Sequence, residues 1–335
     1  DRHANAEACM SEMLVVEQLV DAANGNGNGK GAPFILDRHG RKMQGRDDER
    51  RTAEVREGLT RHEDVRTTRA DAPTEHVERV LSALHEPSYL EALRKVDWQE
   101  PRMMPEWAPP GLPADSPVWA GVFDTAFEGV RTAMTAATAI VDGEQFAYAL
   151  CRPPGHHAGP AFLGGYCYLN TAAAAAYTMW EGGIGRVCIL DLDFHFPTGT
   201  AAIVAPFENV TLGSLHASTL AEVPWRHVEP SRGEYFIEFN HQPHADTYLE
   251  ALEELIVEVG EGAQAFVLSL GYDIVESDPH GSWDFSQLIF MEIGEVLAYA
   301  GLPVCVVQEG GYALDALANC SEAFAAGILM EEDDD

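Results

Sequence analysis

Apolar runs that stop abruptly on polar residues recur along this chain. Val187, Ile189 and Leu190 precede the polar set of DLDFH, AFVLSL covers 265–270 ahead of GYD, and PVCVVQ covers 303–308 ahead of EGGY. Each run is short and continuously apolar, as a strand buried on both faces of a parallel sheet requires. FAYALC and VTLGSLH read as two further strands. Helical spacing fills the intervals. In PTEHVERVLSALHEP, starting after Pro73, the residues Val77, Val80, Leu81 and Leu84 fall on one face of an amphipathic helix, and SYLEALRKV continues as another. VWAGVFDTAFEGVRTAMTAATAIVDG predicts a long helix ending at Gly143, and TAAAAAYTMWEGG predicts an alanine-rich helix over 171–183 that Gly182 and Gly183 terminate. HADTYLEALEELIVEVGEG and FSQLIFMEIGEVLAYAG are helices, each followed by an apolar strand. This alternation predicts an α/β fold, a mostly parallel, doubly wound sheet with helices on both faces.

The flanks are less regular. Residues 1–36 read as an N-terminal extension with a short helix candidate and the flexible tract NGNGNGKG, and residues 37–330 read as one domain. FILDRHG suggests a strand and its exit loop. The arginine- and acid-rich stretch 38–69 reads as a solvated helix with paired charges, the alternative being a partner-binding extension. MMPEWAPPGLPADSP is a proline-rich connection without regular structure, and the acidic tail 331–335 is expected to be disordered.

Composition narrows the classes. A chain of 335 residues has room for two domains, but repeated α/β units fill ~250 or more as one. No run approaches the ~18–20 apolar residues of a membrane span, and MLVVEQLV is too short and is broken by an acid, so neither a membrane segment nor a signal peptide is read. Acidic residues number 54 against 21 basic, a formal net charge of −33, which excludes nucleic acid as a partner. Lysine occurs only at Lys30, Lys42 and Lys95. Such a balance is expected of a salt-adapted surface, the functional alternative being a field that attracts polycationic substrates; the two are compatible, although salt blunts steering. The six cysteines, at 9, 151, 167, 188, 305 and 320, form no CxxC pair and read as reduced thiols of a cytoplasmic protein.

Chemistry gathers where the apolar runs stop. Asp191, Asp193 and His195 are spaced by two, and alternate residues of an extended chain point to one side. A mixed carboxylate and imidazole set suits zinc with one position left open, the plainer alternative being an acidic loop after a strand. His156 and His157 sit in RPPGHHAG, a rigid Pro- and Gly-bounded turn, where one imidazole as general base and the other as its electrostatic partner is the functional reading. Asp273 is placed to supply a third ligand, and Tyr312, on a glycine hinge, to donate to a developing oxyanion. Individually these are ordinary features, since Gly-Gly-Tyr is commonly just a turn.

In combination and in this order, RPPGHH, GGYCYLN, DLDFH, SLGYD with DP after it, and EGGY resemble the zinc-dependent histone deacetylase superfamily. The match looks closest to its bacterial acetylpolyamine amidohydrolases, through LCRPPGHHAG and GGYCYLN, and covers roughly residues 74–328. The resemblance implies a single-domain arginase/deacetylase-like fold with Zn2+ on Asp193, His195 and Asp273, a dyad of His156 and His157, and Tyr312 polarising the carbonyl. It further implies that Gly165 and Tyr166 line the substrate tunnel. Asp191 and Ser214, with the carbonyls of Asp193, His195 and Leu215, would hold a structural K+. The implied activity is removal of an acetyl group from a small cationic amine such as an acetylpolyamine, with acetyl-lysine proteins or a natural-product amide as alternative substrates. In those amidohydrolases an extra loop shapes a homodimer and narrows the entrance; no stretch here is identified with it.

Two departures stand out. Where the superfamily continues as His-Gly-Asn or His-Gly-Asp, this chain reads Phe196, Pro197 and Thr198, so a hydroxyl replaces the side chain expected to orient the second histidine. ASTLAEVPWRHVEPSRGEYF also lacks the usual aromatic-Pro-Gly pattern. A non-catalytic binding protein on this fold would be expected to lose a ligand or Tyr312, and none is missing. An arginase-type ureohydrolase would need a carboxylate-rich two-manganese site, against which Phe196 and Tyr312 argue.

Overall fold

The computed structural model describes residues 12–19, 32–37, 39–222, 224 and 228–330. Its strands are, in chain order, β1 (Met13–Glu17), β2 (Phe34–Leu36), β3 (Lys42–Gln44), β4 (Val65–Arg69), β5 (Arg102–Met103) and β6 (Pro117–Val118). They continue with β7 (Phe146–Leu150), β8 (Val187–Asp191), β9 (Val210–Ala217), β10 (Glu234–Phe239), β11 (Ala265–Leu270) and β12 (Val304–Gln308). Eight of them form one sheet in the order β10-β9-β8-β11-β12-β7-β1-β4, and every neighbouring pair runs parallel. β2–β3 and β5–β6 are small antiparallel ladders outside it. The four central strands, β8, β11, β12 and β7, are buried at every residue, which is why their sequences read as unbroken apolar runs rather than alternations.

Parallel neighbours need crossovers, and helices supply them on both faces. The helices α1 (Arg50–Leu59), α2 (Thr74–Leu84), α3 (Pro87–Arg94), α4 (Val122–Val141) and α5 (Thr171–Glu181) are followed by α6 (Thr198–Val204), α7 (Ala245–Gly260), α8 (Ile289–Tyr299) and α9 (Leu314–Ile328). One core holds residues of α2 to α6 against one face of the sheet, and a second holds α1, α7, α8 and α9 against the other. The expected face of α2, Val77, Val80, Leu81 and Leu84, is the buried one.

Four expectations change. The short helix expected near the start is strand β1, because Met13 and Val15 pack into one core while Leu14 and Val16 pack into the other. The boundary expected at residue 36 therefore does not separate an extension from the domain: β1 lies inside the sheet, between β7 and β4. The stretch read as a solvated charged helix divides into β3, α1 and β4, and α1 is not solvated, since Arg51, Val55 and Leu59 are wholly buried. EYFIEF, unassigned in sequence, is the edge strand β10. The NGNGNGKG tract, Cys9 and the acidic tail lie outside the described residues; the other five cysteines are free and buried.

His85 ties the end of α2 to the start of α5. Its Nδ1 donates to the Gly159 carbonyl (2.8 Å) and its Nε2 accepts from the Asn170 N–H (3.2 Å), while Asn170 caps α5 by accepting from Ala173 N (2.8 Å). Burial pushes His85 down to about 4. An unfolded chain takes up that proton near pH 6.5 and the folded one does not, so the unfolded state binds more protons between the two values and stability falls as pH drops through this window. The expected slope from His85 is about 1.4 kcal/mol per pH unit, close to 3 kcal/mol in all. Urea unfolding at several pH values checks it, and a His85→Asn variant should show a shallower acid slope.

Candidate active site

Four strands deliver the site. His156 and His157 follow β7, Asp193 and His195 follow β8, Asp273 follows β11 and Tyr312 follows β12, all at the carboxyl ends of the central strands. Ligand atoms of Asp193, His195 and Asp273 lie within 4.8 Å of one another. His195 Nδ1 is 3.1 Å from Asp193 Oδ1 and 3.2 Å from Asp273 Oδ2. Donors on a tetrahedral ion with bonds of ~2.0–2.1 Å sit about 3.3 Å apart, so the two edges that His195 makes are close to those of such a site.

The remaining lone pairs are largely spoken for. Asp193 Oδ2 accepts from Gly310 N (2.8 Å), its Oδ1 from His195 N (2.9 Å), and Asp273 Oδ1 from Phe194 N (3.0 Å). Asp273 Oδ2 is buried without a hydrogen bond. Burial and the Asp193 charge raise the Asp273 carboxyl. Gly310 is required here, since a Cβ would come within 2.5 Å of Asp193 Oδ2 and 2.6 Å of Asp273 Oδ2. The donor set and its crowded backing fit a divalent metal ion.

Asp191 does not join this set. β8 ends at Asp191, so the alternation inferred for 191, 193 and 195 holds only for its first member, and Asp191 instead accepts from His156 Nδ1 (3.3 Å). It also faces Ser214 in the β8–β9 register, where Ser214 Oγ meets His216 Nδ1 (3.0 Å) and Leu215 is buried.

The two histidines stack with ring centroids 4.0 Å apart, and their environments drive them apart electrically. Glu309 Oε2 fixes their turn by accepting from Gly155 N (2.7 Å) and His156 N (3.0 Å). Burial opposes charge on His156, but Asp193 and Asp191 outweigh it and raise His156 above the ordinary histidine range. Burial, with the His156 and His195 rings beside it, holds His157 well below that range. Gly165 makes this close packing possible, because a Cβ there would sit 2.2 Å from His157 Cδ2.

The contact expected between Thr198 and His157 is not formed. Thr198 begins α6 and its hydroxyl turns back to the Phe196 carbonyl (3.3 Å), while His157 Nδ1 is buried with no hydrogen-bond partner. Both residues line a cavity of about 10 Å³. Phe196 packs edge-on against His216 and Phe236, while Gly199 N and Thr200 N both donate to the His156 carbonyl (3.0 Å), so the loop stays beside the dyad through its main chain and the Thr198 hydroxyl turns to Phe196.

Tyr312 is buried at the base of a pocket of about 560 Å³ that also reaches His157, His195 and the tunnel pair Gly165 and Tyr166. Burial, only partly offset by Arg51, raises its hydroxyl well above the ordinary tyrosine value and keeps it a donor. Arg51 lies over the Tyr312 ring (4.4 Å), donates to the carbonyls of Gly311 (2.6 Å) and Glu309, and pairs with Asp47 (2.8 Å). The outer wall comes from the β2–β3 hairpin, with Ile35, Leu36, Asp37 and Met43, and from Ala221 and Glu222 opposite. Sequence reasoning missed Arg51, Asp115 and His280. Arg51 was hidden in a charge run, Asp115 in a proline-rich connection and His280 in the DP motif.

The histone deacetylase domain profile matches residues 46–328. Acetylpolyamine amidohydrolase 1 of Pseudomonas aeruginosa is 35% identical over 212 residues, 61% of this chain and 61% of that protein. The acetylpolyamine amidohydrolase of Mycoplana ramosa is 33% identical over 210 residues, 59% of this chain and 61% of that protein. The matched stretch thus spans about three fifths of these relatives' length. A crystal structure of acetylpolyamine aminohydrolase from Burkholderia pseudomallei shares the fold, with a TM-score of 0.83 over 95% of this chain and 99% of that one at 24% identity. With its parallel eight-stranded sheet and the profile match over most of its length, the chain belongs to the histone deacetylase domain family.

Proposed function

We propose that this chain is a zinc-dependent amidohydrolase that removes an acetyl group from a small cationic amine of the acetylpolyamine class. The observation that carries the reading is the convergence of Asp193, His195, His157 and Tyr312 on one pocket, with Asp273 clustered behind Asp193 and His195. Asp193, His195 and Asp273 would hold the metal, which in such a site supplies Lewis-acid polarisation and makes water a competent nucleophile near neutral pH. His157, held neutral, takes up the proton of the attacking water as general base, and a histidine of the dyad returns a proton to the amine nitrogen as the C–N bond breaks. His156, held charged against Asp191, stabilises the negative charge that develops beside it. Tyr312 donates to the acyl oxygen, and the walls at Gly165 and Tyr166 align the amine. Asp191, Ser214 and the Leu215 main chain are the proposed potassium site.

The chain's formal charge of −33 and the carboxylates Asp115 and Glu222 in the pocket, where Asp37 is paired with Arg41, favour a cationic substrate. The apolar hairpin wall of Ile35, Leu36 and Met43 favours a second reading, a larger natural-product amide. A cytoplasmic location and a homodimer belong to the same proposal; no helix among the described residues is long and apolar enough to cross a membrane. Turnover of acetylputrescine, acetylspermidine, a longer N-acetylated apolar amine and an acetyl-lysine peptide, at one salt concentration, tests the substrate. The expected result is a higher kcat/KM for the acetylpolyamines. A higher value for the apolar amine would select the second reading, and one for the peptide would overturn both.

A further inference from the structure

Among the described residues, two without glycine's freedom have left-handed backbone, Tyr166 (φ 68°) and Ser277 (φ 70°). Conformations of this kind are costly for residues with a Cβ and persist where the surroundings over-determine them. The two lie far apart in sequence, yet each belongs to a loop that reaches Tyr312.

The Tyr166 loop is tied down first. Its N–H donates to Ser116 Oγ (3.0 Å), and its hydroxyl accepts from the Arg46 N–H (3.3 Å), which leaves the phenolic proton for His280 Nε2 (3.0 Å). The second loop is tied by one carboxylate. Asp278 Oδ1 accepts from His280 N (2.9 Å) and Gly281 N (3.3 Å), while its Oδ2 accepts from Tyr312 N (2.6 Å) and Ala313 N (3.1 Å). His280 and Tyr312 are therefore fixed to the same anchor. Their rings meet edge to face at 4.8 Å and 82°, and Tyr166 contacts both rings at 5.6 Å.

We propose that the Tyr166–His280 hydrogen bond is a clasp that holds the Tyr312 ring in the pose from which its hydroxyl donates to the acyl oxygen. His280 is thus a positioning residue, and the proposal rests on the amidohydrolase reading of Tyr312. The chemistry of the side chain matters as well as its size. Nε2 must accept, and burial, with His195, Arg46 and Arg51 beside it, keeps His280 down at about 4 and hence neutral under working conditions. An apolar side chain at 280 would fill the space but leave the phenolic proton of Tyr166 without its acceptor.

His280→Leu and Tyr166→Phe, singly and together, decide the matter. Each single variant is expected to lower kcat about tenfold with KM within twofold of the parent. The double variant should be no slower than the worse single, because both remove one bond. His280→Gln, whose amide reaches the place of Nε2, should recover most of the loss. Single variants within twofold of the parent in kcat, a loss confined to KM, losses that multiply in the double variant, or no recovery with glutamine would overturn the clasp. Wild-type turnover of an acylated amine tests the reading underneath. If that fails, crystal structures of the parent and His280→Leu still decide the clasp: a displaced Tyr312 ring supports it, and an unmoved ring overturns it.

Discussion

Asp273→Ala is expected to purify without a tightly bound divalent ion, where the parent carries one per chain, and to lose on the order of 10³–10⁴ in kcat/KM. The reason is geometric. Asp273 Oδ2 is the buried carboxylate oxygen of the triad with no hydrogen bond, so on the proposed reading a metal ion would be its partner. Added zinc should raise the melting temperature of the parent and leave that of the variant unchanged. Elemental analysis and paired melting curves check this. Two transition-metal ions per parent chain, or full activity without any, would reject the assignment.

Tyr312→Phe should cost about 10²–10³ in kcat with KM little changed, the usual effect of deleting a donor that acts on developing charge. Its value as a test lies in what it leaves intact. His280, Tyr166 and Arg51 all contact the ring rather than the hydroxyl, so phenylalanine keeps every packing contact. Steady-state kinetics on the best substrate, with a melting temperature close to the parent's as control, is the measurement. A variant that retains its kcat would mean that Tyr312 only packs.

The site was legible wherever a polar residue interrupts a buried run. Asp193, His195, Asp273 and Tyr312 all follow central strands whose apolar sequences mark where the polar residues begin, and the motifs around them carry the resemblance. Legibility failed where burial and period part company. β1 was mistaken for a helix because a strand buried on both faces has no alternation to show. Arg51 looked solvated because, beyond the local pair with Asp47, its partners are two carbonyls 258 and 260 residues away, invisible in a local window. Thr198 was assigned a role by position in a motif, but its hydroxyl turns to the Phe196 carbonyl instead. His280 carries no period at all; only the assembled pocket shows that it faces Tyr166.

The place of β1 between β7 and β4 also sets an order in time. At ~5–20 residues per second of synthesis, the roughly 130 residues separating the ends of β1 and β7 take about 7 to 27 s to emerge. Until then β1 has only β4 to pair with, and a two-stranded ribbon is not stable alone. Strand β1 thus waits for β7 before both of its edges can be paired, and its apolar Met13–Val16 stretch stays a liability on the ribosome for as long as the dyad-bearing strand is awaited.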